Sequence, residues 1–173
     1  AILTNISLDH KPLAQLRPLF LDFCNRTTGP LVINLDCRET TNLIRNINKT
    51  NLKTFSLVNE YADYFAEHIT LMPSGSEFFI DGIKFKMQIP GRHNIANALA
   101  AIALCNSLGI SLEILAQGLA NFKGIGRRLQ KIGAYDSITI FDDFGKKKKK
   151  IEATIIALQE HLKTSQRLLI MYQ

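Results

Sequence analysis

Two different periods of hydrophobic and polar positions follow one another along the chain. In its first third, apolar runs alternate with helical patterns: AILTNIS reads as a buried strand, LAQLRPLFLDFC as a helix that Pro18 kinks or shortens, and GPLVINLDC as a second strand. TTNLIRNI, which follows, has the pattern of a short helix opened by a threonine cap. Strands that alternate with helices in this way predict an α/β fold.

From Lys53 onward, the period of two that is typical of strands takes over. TFSLVN, HITLMP and EFFIDGIKFKMQIP predict the strands of a small antiparallel sheet, with a hairpin turn at Asp81-Gly82. Helical periods return over residues 93–108 and 111–122, where Gly109 closes the first helix and Ser111 caps the second.

A glycine-rich, charged segment, GIGRRLQKIG, precedes a fresh β-α-β pattern of SITIFDDFG, IEATIIALQEHL and RLLIMYQ. We therefore expect two domains, residues 1–126 and 127–173, with Gly126 to Leu129 as a hinge between them. The sequence opens on a strand without a starting methionine and stops on a strand, so we expect it to be a fragment of a longer protein.

Composition narrows the class of protein. The 173 residues are 46% hydrophobic, enough for a packed core, and no apolar run approaches the roughly 18 residues of a membrane span. Without a signal-peptide layout we expect a cytoplasmic protein, with Cys24, Cys37 and Cys105 as reduced, mostly buried thiols. Five of the 21 basic residues form one run, Lys146 to Lys150, and without it the net charge of +6 falls close to neutral.

Candidate chemistry begins at the helix start PGRHNIANALA, which carries Asn94 and Asn97 in its first two turns. Asparagine is unfavourable inside a helix because its amide competes for backbone hydrogen bonds. Capping explains one asparagine but not a second one three residues later. We therefore expect these amides to contact something outside the helix.

Three polar pairs are further candidates. Asp9-His10 and Asp142-Asp143 each follow an apolar strand, and open α/β sheets bind ligands at such strand ends. His10 could therefore hold a metal or a phosphate. An aspartate of the second pair could contact a ribose hydroxyl or a metal. Arg127-Arg128 could bind phosphate through two parallel hydrogen bonds. Each pair also has a structural explanation, as an exposed turn, a cap or an interdomain salt bridge, and none is specific alone.

The segments TNISLDH, GRHNIANALAAIA, FKGIGRRLQ and FDDFG, in this order, resemble the Mur ligases, ATP-dependent enzymes that build the peptide stem of peptidoglycan. The resemblance covers the latter part of the family's central ATPase domain and the start of its C-terminal Rossmann-like domain. It implies a mainly parallel ATPase sheet with a small antiparallel sheet and two helices. GRR, DDFG and EAT together are features of the branch that adds L-alanine to UDP-N-acetylmuramate, and the muropeptide-recycling branch fits second.

The resemblance implies a role for individual residues. Asparagines of the family's HNxxN helix start form part of the adenine pocket, which implies Asn94 and Asn97. In the same way the resemblance implies His10 as a magnesium ligand, Arg128 as a contact to ATP phosphate and Asp143 as a ribose contact. ATP and Mg²⁺ are thus the implied cofactors. The implied reaction phosphorylates the carboxylate of a UDP-N-acetylmuramate-type substrate, and the amine of an amino acid displaces phosphate from the acyl phosphate.

The sequence also departs from the family. The phosphate-binding GxxGKT loop and a magnesium-binding glutamate would precede Ala1, so we expect the 173 residues alone to be inactive, with weak nucleotide binding directed to the adenosine end. Phe20 stands where glutamate- and diaminopimelate-adding members carry a carbamylated lysine, which fits the alanine-adding branch. KKKKK replaces the branch's HHPTE with the register preserved.

Two alternatives stay open. One is another amide ligase of the superfamily, a muropeptide-recycling or a polyglutamate-type enzyme. The other is a basic nucleic-acid-binding module that uses Lys146 to Lys150, although this run lacks the aromatic side chains on which bases stack. We expect neither nucleic acid nor a membrane among the partners.

Overall fold

The computed structural model of the chain describes residues 1–8, 11–136, 138–146, 148–160, 162 and 165–171. The elements within these ranges are, in order, β1 (Ile2–Leu3), α1 (Leu13–Arg26), β2 (Leu31–Asn34), α2 (Arg38–Ile44), β3 (Leu52–Ser56), β4 (Tyr64–Phe65), β5 (Glu67–Met72), β6 (Gly75–Ile80), β7 (Ile83–Met87), α3 (Arg92–Ser107), α4 (Leu112–Asn121), β8 (Gln130–Tyr135), β9 (Ile138–Asp142) and α5 (Lys148–Gln159). The strands form a parallel sheet, β1-β2-β3-β4, an antiparallel sheet, β5-β6-β7, and the antiparallel pair β8-β9. The α/β fold with a parallel and a small antiparallel sheet is therefore confirmed.

Apolar side chains cover both faces of the parallel sheet. Leu31 and Ile33 of β2 pack in one core cluster with residues of α1 and α2, whereas Val32 packs in a second cluster with residues of α3. This alternation follows from the pleat of a strand, in which successive side chains point to opposite faces. Helices on both faces bury the sheet, as parallel sheets require.

Helix α3 shares its core cluster with the antiparallel sheet. Ile95 and Leu99 of α3 are fully buried in the cluster that also contains the stacked rings of Phe78 and Phe85, whose centroids lie 5.4 Å apart. The predicted hairpin turn joins β6 to β7. The first turns of α3, which carry the candidate asparagines, are thereby held against a packed core. No helix among the described residues is long and apolar enough to cross a membrane.

The segment after α4 is tied to the end of strand β9. The Leu129 N–H donates to Asp143 Oδ2 at 2.8 Å, and the Phe144 N–H donates to the Arg127 carbonyl oxygen at 2.8 Å. Arg127 and Leu129 both have positive φ, 60° and 47°, an uncommon backbone conformation for non-glycine residues. The domain boundary after residue 126 and the hinge at residues 126–129 stay predictions.

Two local predictions about the first helices differ from the structure. Helix α1 continues through Pro18 to Arg26, so the proline does not shorten it, and a kink at Pro18 stays a prediction. The predicted threonine cap of the second helix is wrong. Helix α2 begins after Cys37 without a side-chain cap, and the Thr40 and Thr41 hydroxyls donate to the Cys37 carbonyl oxygen from inside the helix. A threonine hydroxyl can satisfy a backbone carbonyl of the preceding turn as well as cap a helix, and the residue pattern does not distinguish the two.

Strand partners were also predicted incorrectly. TFSLVN, expected in the antiparallel sheet, forms β3 between β2 and β4 of the parallel sheet. Strand β8 begins within the segment interpreted as a joint, extends two residues beyond it, and pairs with β9 in antiparallel orientation. The segment RLLIMYQ was expected to form a strand. Its described part, residues 167–171, forms none, and Tyr172 and Gln173 lie outside the described residues. Pairing depends on partners distant in sequence, which a local period cannot identify.

All three cysteines are free. Cys24 is fully buried in the α1 core cluster, whereas Cys37 and Cys105 are only partly buried. Burial raises the pKa of the Cys24 thiol. The thiols are therefore less uniformly buried than composition suggested.

Candidate functional site

A pocket of about 880 Å³ lies where helices α3, α4 and α5 meet the segment after α4 and the end of strand β9. Asn94, Asn97, Arg128 and Asp143, the four nucleotide contacts implied by the resemblance, all line this pocket. They come from three separate parts of the sequence. The volume suits a small organic ligand, since such sites measure roughly 300 to 1,000 Å³.

The two asparagines of α3 are used differently. Asn94 Nδ2 donates to the Pro90 carbonyl oxygen at 2.8 Å, just before the helix begins. The side-chain oxygen, Oδ1, remains available to accept from another donor. Asn97 is exposed, and its side chain makes no hydrogen bond with another described residue. Its amide therefore offers both a donor and an acceptor to the pocket.

Within each charged pair, the second residue lines the pocket and the first does not. Arg127 Nε lies 3.5 Å from Asp142 Oδ2, and its guanidinium lies 4.7 Å from the centroid of the Phe144 ring. Arg128 and Asp143 line the pocket instead. The first residues of the two pairs therefore bind each other, and the second ones remain available to a ligand.

The Asp143 carboxylate accepts one backbone hydrogen bond and has space beside its other oxygen. Its Oδ2 accepts the Leu129 N–H, and an alanine Cβ at Gly145 would lie 2.7 Å from its Oδ1. Gly145 thus leaves room that any other residue would fill. A carboxylate fixed in this way keeps acceptor capacity for a hydroxyl group of a ligand.

His93 lines the pocket as well and was not predicted as a site residue. Burial lowers the pKa of His93, while Asp143 and Glu160 act in the opposite direction. A Cβ at Gly91, whose φ is 99°, would lie 2.9 Å from the Ala157 Cβ and 3.1 Å from the His93 ring, so glycine is needed where α5 approaches α3. The only signal in the sequence was the position of His93 directly before Asn94.

Other polar residues of the pocket were also missed: Asn5, Lys150 and Thr154. Asn5 lies within the segment TNISLDH, and Lys150 and Thr154 lie four residues apart on α5, a spacing that places them on one helix face. That spacing was visible in the sequence. What it could not show is that this face of α5 lines the same pocket as α3.

The remaining walls of the pocket are apolar and come mainly from α3, α4 and the segment after it: Met87, Ile89, Ile102, Ile114, Leu115, Leu119, Phe122 and Ile125. Ile114 and Ile125 are 60% and 66% exposed, so this wall is open to a ligand and is not closed core. Apolar walls with a few convergent polar groups are typical of sites that bind small molecules and cofactors.

The predicted magnesium ligand, His10, lies outside the described residues, as does Asp9. Within the described ranges, no group of three or more histidine, cysteine, aspartate or glutamate side chains is arranged to hold a metal ion. The role of His10 stays a prediction.

Replacing Lys146 to Lys150 by glutamine is expected to change the melting temperature by less than about 3 °C. Lys146 Nζ lies 4.6 Å from the centroid of the Phe144 ring, and an exposed cation–π contact contributes only about 0.5 to 1 kcal/mol. Relief of like-charge repulsion offsets this loss. Thermal unfolding followed by circular dichroism measures the change. A decrease of more than about 6 °C, which corresponds to roughly 2 kcal/mol, would instead show structural partners.

Comparison with known proteins gives two kinds of match. The family model described as Mur ligase middle domain matches residues 1–105. A UDP-N-acetylmuramate--L-alanine ligase of Dictyoglomus turgidum is 35% identical over 99% of this chain. The match covers 39% of that relative, so the chain spans about two fifths of its length.

Solved structures share the fold. MurF from Acinetobacter baumannii has a TM-score of 0.81 at 22% identity, over 93% of this chain and 37% of its own. A UDP-N-acetylmuramate-alanine ligase from Thermotoga maritima has a TM-score of 0.75 at 24% identity, over 92% of this chain and 38% of its own. At these identities, the two structures support the fold alone.

Proposed function

Since the chain belongs to the Mur ligase family, we propose that it carries the adenosine-binding part of an ATP-dependent ligase that joins L-alanine to the carboxylate of UDP-N-acetylmuramate. The observation that carries the proposal is one pocket lined by Asn94, Asn97, Arg128 and Asp143. Magnesium ligands are not assigned among the described residues, so the roles below do not involve the metal.

The residues of the pocket fit an adenine nucleotide. Asn97 presents a free donor and acceptor pair, which matches the amino group and ring nitrogen on one edge of adenine. The apolar wall formed by α3 and α4 suits the faces of the base. Asp143, fixed by the Leu129 N–H, accepts a ribose hydroxyl, and Arg128 binds a phosphate oxygen.

In this proposal the chain's own residues bind and orient the nucleotide. When bound, ATP would supply its terminal phosphoryl group to the substrate carboxylate with release of ADP, and the amine of L-alanine would then displace inorganic phosphate from the acyl phosphate. A nucleotide held at its base, ribose and first phosphate presents its terminal phosphate in one direction, and such positioning lowers the entropic part of the barrier. Burial lowers the pKa of His93, which favours the neutral ring, and a neutral imidazole offers the pocket one donor and one acceptor nitrogen.

The choice of the alanine-adding branch is supported at Phe20. This side chain packs against the core cluster formed by α1, α2 and strand β2. It stands where glutamate- and diaminopimelate-adding members carry a carbamylated lysine, and a phenyl ring packed on a core cannot replace that carbamate as a metal ligand. The relative from Dictyoglomus turgidum, which is named as an alanine ligase, agrees with this choice.

Replacing Asn97 by alanine is expected to weaken adenosine binding by about 5- to 30-fold, since one or two hydrogen bonds of about 1 kcal/mol each are lost. The matched control is Asn121→Ala on helix α4, whose side chain donates to the Gln117 carbonyl oxygen and does not line the pocket. It should leave the dissociation constant unchanged within twofold. Titration monitored by NMR chemical shifts measures both. Equal adenosine affinity of the Asn97→Ala variant and the unmodified chain would refute the proposed adenine site.

A further inference from the structure

The lysine run is divided between two surroundings. Lys146 lies over the exposed Phe144 ring, with 4.6 Å from Nζ to the ring centroid. Lys150, four residues later in the first turn of α5, lines the nucleotide pocket together with Thr154. We propose that Lys150 is a phosphate-binding residue of this pocket, which acts with Arg128 on the phosphate nearest the ribose of an adenine nucleotide. This inference rests on the proposed function, because it needs the nucleoside in the pocket.

The charges around the pocket leave two cations for a ligand. Arg127 is paired with Asp142. Within the described part of the chain, neither Arg128 nor Lys150 forms an ion pair with a carboxylate. Among the residues that the structure describes, Asp143 is the one carboxylate that lines the pocket, and its Oδ2 already accepts the Leu129 N–H. The balance of charge at this end of the pocket therefore favours an anion.

Thr154 adds a hydroxyl group next to the lysine. Residues four apart on a helix are neighbours on one face, so the Lys150 ammonium and the Thr154 hydroxyl can donate to the same group. An ammonium, a guanidinium and a hydroxyl are all donors, and a phosphate provides only acceptors at neutral pH. This donor set favours a phosphate over a second base or sugar, because two of its three groups are cations and a phosphate is an anion with several acceptor oxygens.

The lysine is a feature of this chain. Lys150 stands at the position where the alanine-adding branch has the glutamate of HHPTE. A glutamate at a pocket-lining position would repel a phosphate, and a lysine attracts it. The reversal of charge thus predicts stronger phosphate binding at this position than the branch motif would give.

The test compares adenosine, AMP and inorganic phosphate as ligands of the full 173-residue chain and its variants, at low salt. The unmodified chain should bind AMP about 5- to 30-fold more tightly than adenosine, since two partly exposed charge contacts contribute modestly. Lys150→Met should lower AMP affinity about 3- to 10-fold and leave adenosine affinity within twofold, and Lys150→Glu should lower AMP affinity further. The matched control, Lys146→Met, should change neither. Inorganic phosphate alone should bind too weakly to compete with AMP.

Three outcomes would overturn the inference. In the first, adenosine still binds but neither Lys150→Met nor Lys150→Glu changes the ratio of AMP affinity to adenosine affinity. This result would leave the proposed adenine site intact. The second is an equal loss of AMP affinity in Lys146→Met, which would indicate diffuse attraction by the run. The third is that the unmodified chain binds neither adenosine nor AMP, which would refute the proposed function as well.

Discussion

The Gly75→Ala variant is expected to unfold with a free energy about 2 to 3 kcal/mol below that of the unmodified chain, a cost typical of overpacking a filled site. The added Cβ would overlap the Met87 carbonyl oxygen. That atom belongs to the backbone of strand β7, whose Met87 is in register with the buried Ser76 of β6, so it cannot move without disturbing the ladder. The expected decrease in melting temperature is about 5 to 10 °C. Urea unfolding followed by circular dichroism measures the free energy.

A second glycine serves as the control for this prediction. Gly133 in strand β8 has no atom within 4 Å of the position that its Cβ would take. Gly133→Ala should therefore change stability by less than about 0.5 kcal/mol or stabilise the chain slightly, because alanine loses less backbone entropy on folding. If both variants lost the same stability, the effect would come from the loss of glycine itself and not from the contact with Met87.

Elements defined by neighbouring residues could be predicted from the sequence. Helices α3 and α4 lie close to their predicted bounds, with a positive φ at Gly109 and with Ser111 accepting the Ile114 N–H as the predicted cap. The hairpin was predicted from the Asp81-Gly82 dipeptide, and both turn residues have the positive φ that such a two-residue turn requires. Strand β3 was predicted in the wrong sheet. A hydrophobic period of two indicates which side chains of a strand are buried, but it does not identify the strands that pair with it, here β2 and β4.

The candidate site shows the same division. Two asparagines in the first turns of α3 were recognisable as unusual from helix propensity alone. Their convergence with Arg128 and Asp143 came only from the resemblance, because no local pattern reports which distant segments share a pocket. Five adjacent lysines give no signal of which side chain lines a pocket. Lys150 is exposed and also lines the pocket, because α5 packs beside α3.

The 173 residues alone are expected to show no ATP hydrolysis above background and to bind ATP with a dissociation constant no tighter than about 10 µM. No GxxGKT segment occurs among them. In such a loop, several backbone N–H groups and a lysine bind the β- and γ-phosphates. Charge-assisted hydrogen bonds of this kind contribute roughly 1.5 to 3 kcal/mol each, so a site without them loses several orders of magnitude in affinity.

What remains is the adenosine end with Arg128 and, by the inference above, Lys150. ATP should therefore exceed adenosine in affinity only by the modest factor that these two cations contribute, and Mg²⁺ should add little. Calorimetric titration of adenosine and ATP, each with and without Mg²⁺, together with a phosphate-release assay, measures these expectations. Adenosine is the matched control, since it contacts the base and ribose positions but carries no phosphate. The proposal assigns Arg128, Lys150 and Thr154 as the phosphate donors of the pocket. Submicromolar, magnesium-dependent ATP binding by these residues would therefore mean that further donors for the β- and γ-phosphates lie elsewhere.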